Sequence, residues 1–376
     1  MTNYDVIVIG AGPAGATAAA ILADRDINAL LIEKEKLPRP KICGGAVSKR
    51  ALSLLEAAEV IIPELKTFKK CHSMQLGTFD FDSVEHLATI KFDNEAAYLT
   101  DRAEFDYALV QNAVSKGAEL KQNLMVTNIK KENSQFIIIG ADFSAKSKYL
   151  LCADGVNGTS ATLLGFRDKW NDDEVGLCIE SSITDYEPPP SPLNFYFGGV
   201  KRGYAWFFDK GNHASIGTGA VRKDATALRR LFNSFVEHSR YTDSTENLKL
   251  NAWRIPATGG ISGKFAKGNA LLLGDAAGLV DPFLGEGISY AIQSGTIAAD
   301  CIIKNNVGDY RKKIEEEITG DLKYARILLK IVKRDPKRFV ALLAQDTAIA
   351  RDYVKIVVGD SNYRQFLKNT FKKLIF

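Results

Sequence analysis

The segment Gly10–Gly15, which reads Gly-Ala-Gly-Pro-Ala-Gly, decides the fold of the N-terminal part of the chain. An apolar run rich in β-branched residues, Tyr4 to Ile9, precedes it, and a run of small residues continues from it to Ala23. The first run predicts a buried parallel strand, and the second predicts a helix. Asn28 to Ile32 predicts a second strand, which ends just before Glu33. The sequence therefore predicts a strand, a glycine-rich turn, a helix and a second strand.

Each glycine of this turn has its own physical task. Gly10 permits the tight turn, Gly12 lets a pyrophosphate approach the backbone, and Gly15 lets the helix pack closely against the strand. The N-terminus of the helix offers unpaired N–H groups and the positive end of its dipole to the phosphates. Glu33 is placed to accept hydrogen bonds from a ribose, and its charge disfavours a 2′-phosphate. The segment therefore predicts a site for NAD or FAD.

The composition is that of a soluble globular protein, with 46% hydrophobic and 25% charged residues in 376 positions. This length predicts two or three domains. No run approaches the roughly 18 apolar residues of a membrane-spanning helix, and the N-terminus lacks the features of a secretory signal.

The five cysteines have no CxxC spacing, which argues against zinc and disulfides and favours a reducing, cytoplasmic location. The four histidines have no metal-ligand spacing, so we expect no metal site.

Charge is unevenly distributed along the chain. Residues 321–376 hold 13 Lys and Arg against 5 acidic residues, whereas the first 320 residues hold 36 basic against 40 acidic ones. In residues 360–376, Phe and Leu alternate with Lys, as in an amphipathic helix at an anionic bilayer surface. A helix that packs on the body with its lysines in solvent would show the same pattern. Because the body is acidic and no base-reading motif occurs, we expect no nucleic-acid partner.

Two later segments resemble the remaining fingerprints of FAD-dependent oxidoreductases of the aromatic-hydroxylase-like group. The first is Ala153-Asp154-Gly155, and the second runs from Leu272 to Ile288. In that group the Asp of the second segment, here Asp275, contacts the FAD ribityl chain. The glycines that follow begin a helix whose positive end stabilises negative charge on the reduced flavin. The resemblance implies that the dinucleotide is FAD, although Gly158 and Ala161 stand where the group usually has Ser and Arg.

Within that group the chain resembles the geranylgeranyl reductases. Lys41-Ile42-Cys43-Gly44-Gly45 is similar to the cysteine-containing loop near the flavin, and Tyr204-Ala205-Trp206-Phe207-Phe208 is similar to the YxWxF substrate motif. The family usually continues with Pro-Lys, whereas here Asp209-Lys210 follows. The resemblance implies reduction of isolated C=C bonds in prenyl chains of an isoprenoid lipid, with hydride from reduced flavin N5. Since no second GxGxxG occurs, the flavin is expected to receive electrons from an external donor, either NAD(P)H or a ferredoxin-like protein.

The resemblance also implies roles for single residues. Arg102 would head a helix near the FAD, and Val126 would lie where a strand backbone meets the adenine. Cofactor binding is expected at Gly10, Gly12, Ala14, Gly15, Glu33, Lys34, Cys43, Gly44, Arg102, Val126, Asp154, Gly155, Asp275, Gly285, Gly287 and Ile288.

Cys43 is the candidate catalytic residue. Hydride addition to an isolated alkene needs a proton at the other carbon, and we expect Cys43 to deliver that proton or to position the reactants. The alternative is a small packing residue, as free cysteines often are. Tyr204, Trp206 and Phe208 would share one face of a strand and could form the wall of an apolar tunnel. Periodicity alone favours ordinary sheet core for these three rings.

These patterns predict an α/β fold: a Rossmann-like FAD-binding domain, an antiparallel-sheet substrate domain and a helical C-terminal part. The expected FAD domain is discontinuous (1–68, 98–170 and 265–305), the substrate domain takes 69–97 and 171–264, and the helical region is 306–376. Three other functions share the FAD segments: an FAD monooxygenase acting on a small aromatic or apolar substrate, a flavin-dependent polyene cyclase or isomerase, and a non-catalytic FAD-binding protein.

Overall fold

The computed structural model describes residues 1–200, 202–242 and 248–375, which form three β-sheets and a set of helices. The strands are β1 (Thr2–Ile9), β2 (Ala29–Ile32), β3 (Ala46–Ser48), β4 (Lys69–Cys71), β5 (Ser73–Phe79), β6 (Val84–Lys91), β7 (Ala97–Leu99), β8 (Glu119–Lys121), β9 (Asn128–Glu132), β10 (Gln135–Gly140), β11 (Phe143–Cys152), β12 (Gly176–Ile183), β13 (Leu193–Gly198), β14 (Gly203–Asp209), β15 (Ala214–Val221), β16 (Asn251–Ile255), β17 (Ala266–Lys267) and β18 (Ala270–Leu272). The α-helices are α1 (Pro13–Ala23), α2 (Lys49–Ala57), α3 (Arg102–Ser115), α4 (Ser160–Leu163), α5 (Leu228–Ser239), α6 (Ile288–Ile303), α7 (Tyr310–Ile314), α8 (Gly320–Val332), α9 (Pro336–Gln345), α10 (Thr347–Val358) and α11 (Tyr363–Ile375).

The first sheet contains the predicted N-terminal unit. Its main strand order is β17-β18-β11-β1-β2-β8, with β10 and β9 continuing as antiparallel strands beside β11. Strand β1 pairs in parallel with both β2 and β11, and it is followed by the glycine turn and α1. Helix α1 is built of small residues because it is buried against the sheet, α3 and α6. At the α6 contact, a Cβ on Gly295 would lie 2.4 Å from the Ala14 carbonyl oxygen, so the two helices meet at backbone distance.

The second sheet has the order β16-β12-β15-β14-β13-β5-β6, and all of its pairs are antiparallel except β13 with β5. Strand β14 alternates between two environments, as the period of a strand requires. Ala205 and Phe207 belong to the apolar cluster that contains α5, whereas Trp206 and Phe208 belong to the cluster that continues into the first sheet. A small third sheet has the order β3-β7-β4. Its strands lie where the chain passes from the first sheet to the second and back again. The α/β class with a Rossmann-type sheet, an antiparallel sheet and C-terminal helices is confirmed.

One local expectation is wrong. Val126 was expected on a strand, but β9 begins only at Asn128, and Val126 lies in the irregular segment before it. That segment leaves the ladder because Leu124 N–H donates to the carbonyl of Glu33, which carries the chain across the end of β2. The proposed domain boundaries stay a prediction.

The C-terminal region is helical, as expected, and it packs on the body. Pro336 is the first residue of α9, and Asp335 caps that helix by accepting from Arg338 N–H. In α11 the apolar side chains are buried at Tyr363, Phe366, Leu367 and Leu374, and Phe371 is exposed. Of the two interpretations of residues 360–376, packing on the body is therefore the one that these side chains show. Within the described ranges, no helix combines the length and apolar character needed to cross a bilayer.

Candidate active site

One cavity of about 920 Å³ reaches from the turn after β1 to the face of β14. Of the predicted cofactor and substrate residues, Gly15 alone does not line it. A Cβ on Gly15 would lie 2.0 Å from the carbonyl oxygen of Gly10 and 3.1 Å from Val8, so this glycine serves the close packing of α1 on β1. The structure therefore brings the residues predicted from three distant segments and from the aromatic motif to a single site.

The glycine turn is shaped to admit a dinucleotide. Gly10 has φ +101°, and a Cβ there would lie 2.4 Å from the carbonyl oxygen of Ala153, so no other residue fits without displacing backbone. A Cβ on Gly12, by contrast, would meet no atom within 4 Å and would enter the cavity. Gly12 is also the N-cap of α1 and offers no side chain to the first N–H groups of that helix. These N–H groups are therefore available to a phosphate.

Glu33 is held at the end of β2 by a network that the sequence pattern did not predict. Its carboxylate accepts from the N–H groups of Ala11 (3.2 Å) and Glu35 (3.1 Å) and from the Arg39 guanidinium (3.2 Å). Arg39 also lies 3.4 Å from Asp106 of α3. The carboxylate is thus fixed in place beside the glycine turn, as a ribose ligand must be.

Arg102 forms a buried ion pair with Asp106. Its Nε and Nη2 donate to the two carboxylate oxygens at 2.8 and 3.0 Å, a bidentate arrangement. Burial lowers the pKa of Arg102, but Asp106 and a contact with the Cys43 thiol outweigh it, so the net pKa lies above its usual value. The spacing of Arg102 and Asp106, four residues apart on a predicted helix, was the signal from which this pair could have been found.

The departure at Gly158 has a local explanation. Asp154 accepts hydrogen bonds from the N–H and the hydroxyl of Ser160, which folds the loop back on the carboxylate. A Cβ on Gly158 would lie 2.1 Å from Cγ of Asp154. A glycine is required here because the loop crosses the carboxylate of Asp154 at backbone distance.

The loop before α6 forms the end of the cavity where the family resemblance implies the flavin, called the flavin end below. Gly285 has φ +69°, and Gly287 is the N-cap of α6. Burial raises the pKa of Asp275, while Lys41 and Arg102 act in the opposite direction. The hydroxyl of Tyr204 donates to the carbonyl of Leu284 at 2.7 Å, which ties the aromatic motif directly to this loop.

The three rings of the aromatic motif form one wall of the cavity. The ring centroids of Tyr204 and Trp206 are 6.0 Å apart, and those of Trp206 and Phe208 are 6.3 Å apart. A Cβ on Gly217 of β15 would lie 2.2 Å from the Trp206 ring, and one on Gly44 would lie 2.6 Å from the Phe208 ring. These glycines let the neighbouring backbones lie flat against the rings. The sequence alone gave no reason for a glycine at position 217. The reason is its pairing with Trp206 on the neighbouring strand β14.

The Asp209 departure from the family's Pro is compatible with the sheet. Asp209 N–H donates to the carbonyl of Pro192 at 2.9 Å, a bond that a proline cannot make. Its carboxylate accepts from Lys69 (2.6 Å) and from the Tyr186 hydroxyl (2.6 Å). The substitution therefore adds an ion pair at the end of β14 and leaves the aromatic wall in register.

Cys43 lines the same cavity as the glycine turn and the aromatic wall. It is half-buried, its N–H donates to Glu180 Oε1 at 3.1 Å, and its thiol contacts the Arg102 guanidinium. Lys41 Nζ lies 3.9 Å from the centroid of the Trp253 ring. Burial lowers the pKa of Lys41 to about 8, and Asp275 offsets this only in part.

Several cavity residues were not predicted. The indole N–H of Trp253 is buried and has no hydrogen-bond partner among the described residues, so it is available to a ligand. Tyr353 and Val357 of α10 also line the cavity, which makes the basic C-terminal region part of the site. No sequence signal pointed to these two residues, because a tertiary contact alone brings α10 to the cavity. In the described part of the chain, no cluster of His, Cys, Asp or Glu could hold a metal ion.

Comparisons with known proteins identify the family of this chain. Residues 3–309 match the family described as an FAD binding domain. A digeranylgeranylglycerophospholipid reductase of Methanocella arvoryzae is 30% identical over 315 residues, which are 80% of this chain and 78% of that protein. The chain belongs to the geranylgeranyl reductase family of FAD-dependent oxidoreductases. An uncharacterised protein of Methanosarcina barkeri is 31% identical over 333 residues, which are 86% of this chain and 82% of that protein.

Solved structures show the same fold. A geranylgeranyl bacteriochlorophyll reductase-like protein of Thermoplasma acidophilum has a TM-score of 0.81 at 22% identity, covering 99% of this chain and 100% of that one. A halogenase variant in complex with FAD has a TM-score of 0.69 at 16% identity, covering 96% of this chain and 85% of that one.

The protein is an FAD-dependent oxidoreductase, and the cavity residues fit that cofactor. The open space at Gly12, the fixed carboxylate of Glu33 and the N-terminus of α6 correspond to the pyrophosphate, ribose and flavin positions that the family resemblance implies.

Proposed function

We propose that this protein reduces isolated C=C bonds in the prenyl chains of an isoprenoid lipid. The observation that carries the proposal is the continuity of one cavity from the glycine turn at Gly10 to the aromatic wall at Trp206, which Cys43 also lines. A prenyl chain is apolar, and an aromatic wall offers it a dry surface of matching chemistry. The digeranylgeranylglycerophospholipid reductases among the relatives support the same substrate class.

The residues of the chain would divide the work between binding and chemistry. Bound FAD, once reduced by a donor from outside the chain, supplies a hydride. Glu33 would bind the ribose, and Asp275 would bind the ribityl chain. Trp206 and Phe208 would hold the prenyl chain and exclude water from the reacting bond. Cys43, in contact with Arg102, would position the alkene or hold the proton that the second carbon needs.

Product mass tests this function. The purified holoenzyme is reduced with dithionite under anaerobic conditions and mixed with a digeranylgeranylglycerol phospholipid, and the lipid is analysed by mass spectrometry. We expect two added hydrogens for every bond reduced. A product that gains oxygen in air would instead indicate a monooxygenase, and turnover to a product of unchanged mass would indicate a cyclase or isomerase.

Cysteine variants test the place of Cys43. Cys43→Ala should lower the reduction rate while the protein keeps its flavin. Cys71→Ala is the matched control, because Cys71 is fully buried in β4 and does not line the cavity. An unchanged rate in Cys43→Ala with intact flavin would show that Cys43 is a packing residue only.

A cytoplasmic location with peripheral membrane contact is part of this proposal, because a lipid substrate has to be taken from a bilayer. Since the apolar side of α11 packs on the body, Phe371 is the candidate for such contact in this helix. Liposome flotation should show weaker binding for Phe371→Ser than for the wild type. Equal flotation of the two proteins would remove this helix from the membrane contact.

A further inference from the structure

Glu180 of β12 joins the two halves of the site through one carboxyl group. Its Oε1 accepts from the N–H of Cys43 at 3.1 Å, and its Oε2 accepts from the Ser215 hydroxyl at 3.1 Å. The Ser215 oxygen in turn accepts from the indole N–H of Trp206 at 3.0 Å. The carboxyl also lines the cavity itself. It therefore lies where the cysteine loop meets the aromatic wall.

The surroundings of this carboxyl favour its neutral form. Burial raises the pKa of Glu180, and this effect exceeds the opposing effects of Lys210, Ser215, the Cys43 N–H and Lys41. Cys178, two residues earlier on β12, also interacts with it. Of these groups, Lys41 comes from the cysteine loop and Lys210 from the end of β14. An acid in such an environment keeps its proton at a pH where an exposed glutamate is ionised.

An isolated alkene cannot accept a hydride without a proton at its other carbon. A carboxylic acid is a stronger acid than a thiol, whose ordinary pKa is near 8.5. Glu180 is therefore better suited to give up a proton than Cys43, which lies next to it.

We propose that Glu180 is the proton donor of the site, a role that rests on the function proposed above. One alkene carbon receives the hydride, and the other forms its new C–H bond with the proton as the O–H bond of Glu180 breaks. The alkene gains two electrons, which come from the reduced flavin and, before that, from the external donor. The carboxylate then regains a proton from solvent. Cys43, held by its N–H, would position the chain.

Glu180→Gln tests the proposal, because glutamine keeps the size of the side chain and an acceptor for Cys43 N–H but has no acidic proton. The holoenzymes are reduced in advance and mixed with the digeranylgeranylglycerol phospholipid in a single-turnover experiment. We expect Glu180→Gln to react at least about 100-fold more slowly. The wild-type rate should fall as the pH rises through the pKa of the carboxyl, and the residual rate of the variant should lack that pH dependence. Glu237→Gln, an exposed position on α5, is the matched control and should react like the wild type.

A second measurement does not depend on turnover. Infrared difference spectra of the oxidised holoenzyme, titrated from weakly acidic to weakly alkaline pH, should show the carbonyl band of a protonated carboxyl in the wild type and in Glu237→Gln. Asp281, whose pKa burial raises to about 6, contributes to the same band in all three proteins. Glu180→Gln should lose the part of the band that comes from Glu180, so the difference between the wild-type and variant spectra isolates that carboxyl. If the glutamine variant fails to fold, Glu180→Asp keeps an acid in the cavity and should retain both the pH profile and a carboxyl band.

Three results would overturn the role of Glu180: a wild-type rate in Glu180→Gln, loss of the pH profile in Glu180→Asp, or a Glu180 that is already ionised at weakly acidic pH. A wild-type holoenzyme that reduces no prenyl lipid would overturn the proposed function itself, and with it this step. The infrared titration is independent of the substrate, so the two failures are distinguishable.

Discussion

The two walls of the cavity, one proposed for the cofactor and one for the prenyl substrate, are built in different ways. The cofactor wall is made of backbone, with glycine at the places where a Cβ would fill the site or strike another strand, as at Gly10 and Gly12. The substrate wall is made of side chains that project from one face of β14, such as Trp206. Backbone recognition demands glycine at set intervals and so leaves a motif in the sequence. Recognition by side chains uses aromatic residues that also occur in ordinary hydrophobic cores, so it leaves no distinct motif.

Strand β14 shows this difference on its own. Phe207 and Trp206 are neighbours, both are buried, and both are aromatic. Phe207 points toward α5 and stacks on Tyr241 with ring centroids 3.9 Å apart, whereas Trp206 lines the cavity. The same residue types therefore serve stability on one face and the site on the other.

The largest expected effect is a loss of stability that distinguishes the two faces of β14. Phe207→Ala should lower the free energy of unfolding by about 4 kcal/mol, because it leaves a cavity beside Tyr241 and α5. Urea denaturation monitored by circular dichroism measures the change. Trp206→Phe should cost about 1 kcal/mol, mostly from the hydrogen bond lost at Ser215, and should instead slow prenyl reduction. If the two variants lose stability equally and reduce the lipid at equal rates, the division between the faces is wrong.

The second prediction compares two alanine substitutions in the glycine turn of the cofactor wall. Gly10→Ala should destabilise the protein by about 3 kcal/mol even without FAD, because a Cβ there meets the Ala153 carbonyl and φ is +101°. Gly12→Ala should leave the stability of the FAD-free protein nearly unchanged, since its φ of −79° suits alanine and its Cβ meets nothing. It should weaken FAD binding about tenfold by occupying the pyrophosphate approach. Thermal melting and flavin fluorescence titration measure the two effects, and equal FAD affinity in Gly12→Ala and wild type would contradict the account.

The third prediction concerns Asp281, in the loop before α6, which contacts Tyr363 of α11. Its carboxylate accepts from the N–H groups of Phe283 and Leu284 and from the Tyr363 hydroxyl. Burial raises its pKa to about 6, against about 3.9 in an unfolded chain. A carboxyl whose pKa is raised by folding favours the folded state fully below about pH 4. This contribution to the free energy of unfolding is lost as the pH rises through about 6.

Asp281→Asn removes the cost of ionising this buried carboxyl. The variant should be more stable than wild type by about 2 kcal/mol above pH 7, with little or no advantage near pH 4. Urea denaturation at both pH values measures the difference. A variant that is less stable at the higher pH would show that the charged hydrogen bond to Tyr363 outweighs desolvation.

The smallest expected effect lies where the two walls touch. Gly44→Ala places a Cβ 2.6 Å from the Phe208 ring, so the cysteine loop must shift. We expect about a tenfold loss in the reduction rate with flavin retained, since small displacements of positioning groups are costly. Phe208→Leu in the same chain should restore part of the rate by making room. Gly308→Ala is the control, because its Cβ would meet nothing within 4 Å, and an equal loss there would argue against a local cause.

The sequence predicted the cofactor wall in more detail than the substrate wall. The turn at Gly10 and the acid at Glu33 could be placed because each needs a particular residue type at a particular distance along the chain. The loop before Ile288, the cysteine loop and the aromatic motif could be found only through family resemblance. Glu180 was missed because it is a single acid on a strand, and nothing in its neighbours marks it as buried.

By itself, the sequence determined the strand, turn and helix that hold a dinucleotide, since local backbone geometry dictates glycine there. Tertiary structure alone decided which face of β14 borders the cavity, because alternation has the same period on both faces. It also decided that Tyr353 of α10 reaches the cavity and that Glu180 meets Cys43, 137 residues away in the chain. Contacts between distant segments depend on how the sheets pack together, and local residue patterns carry no record of that packing.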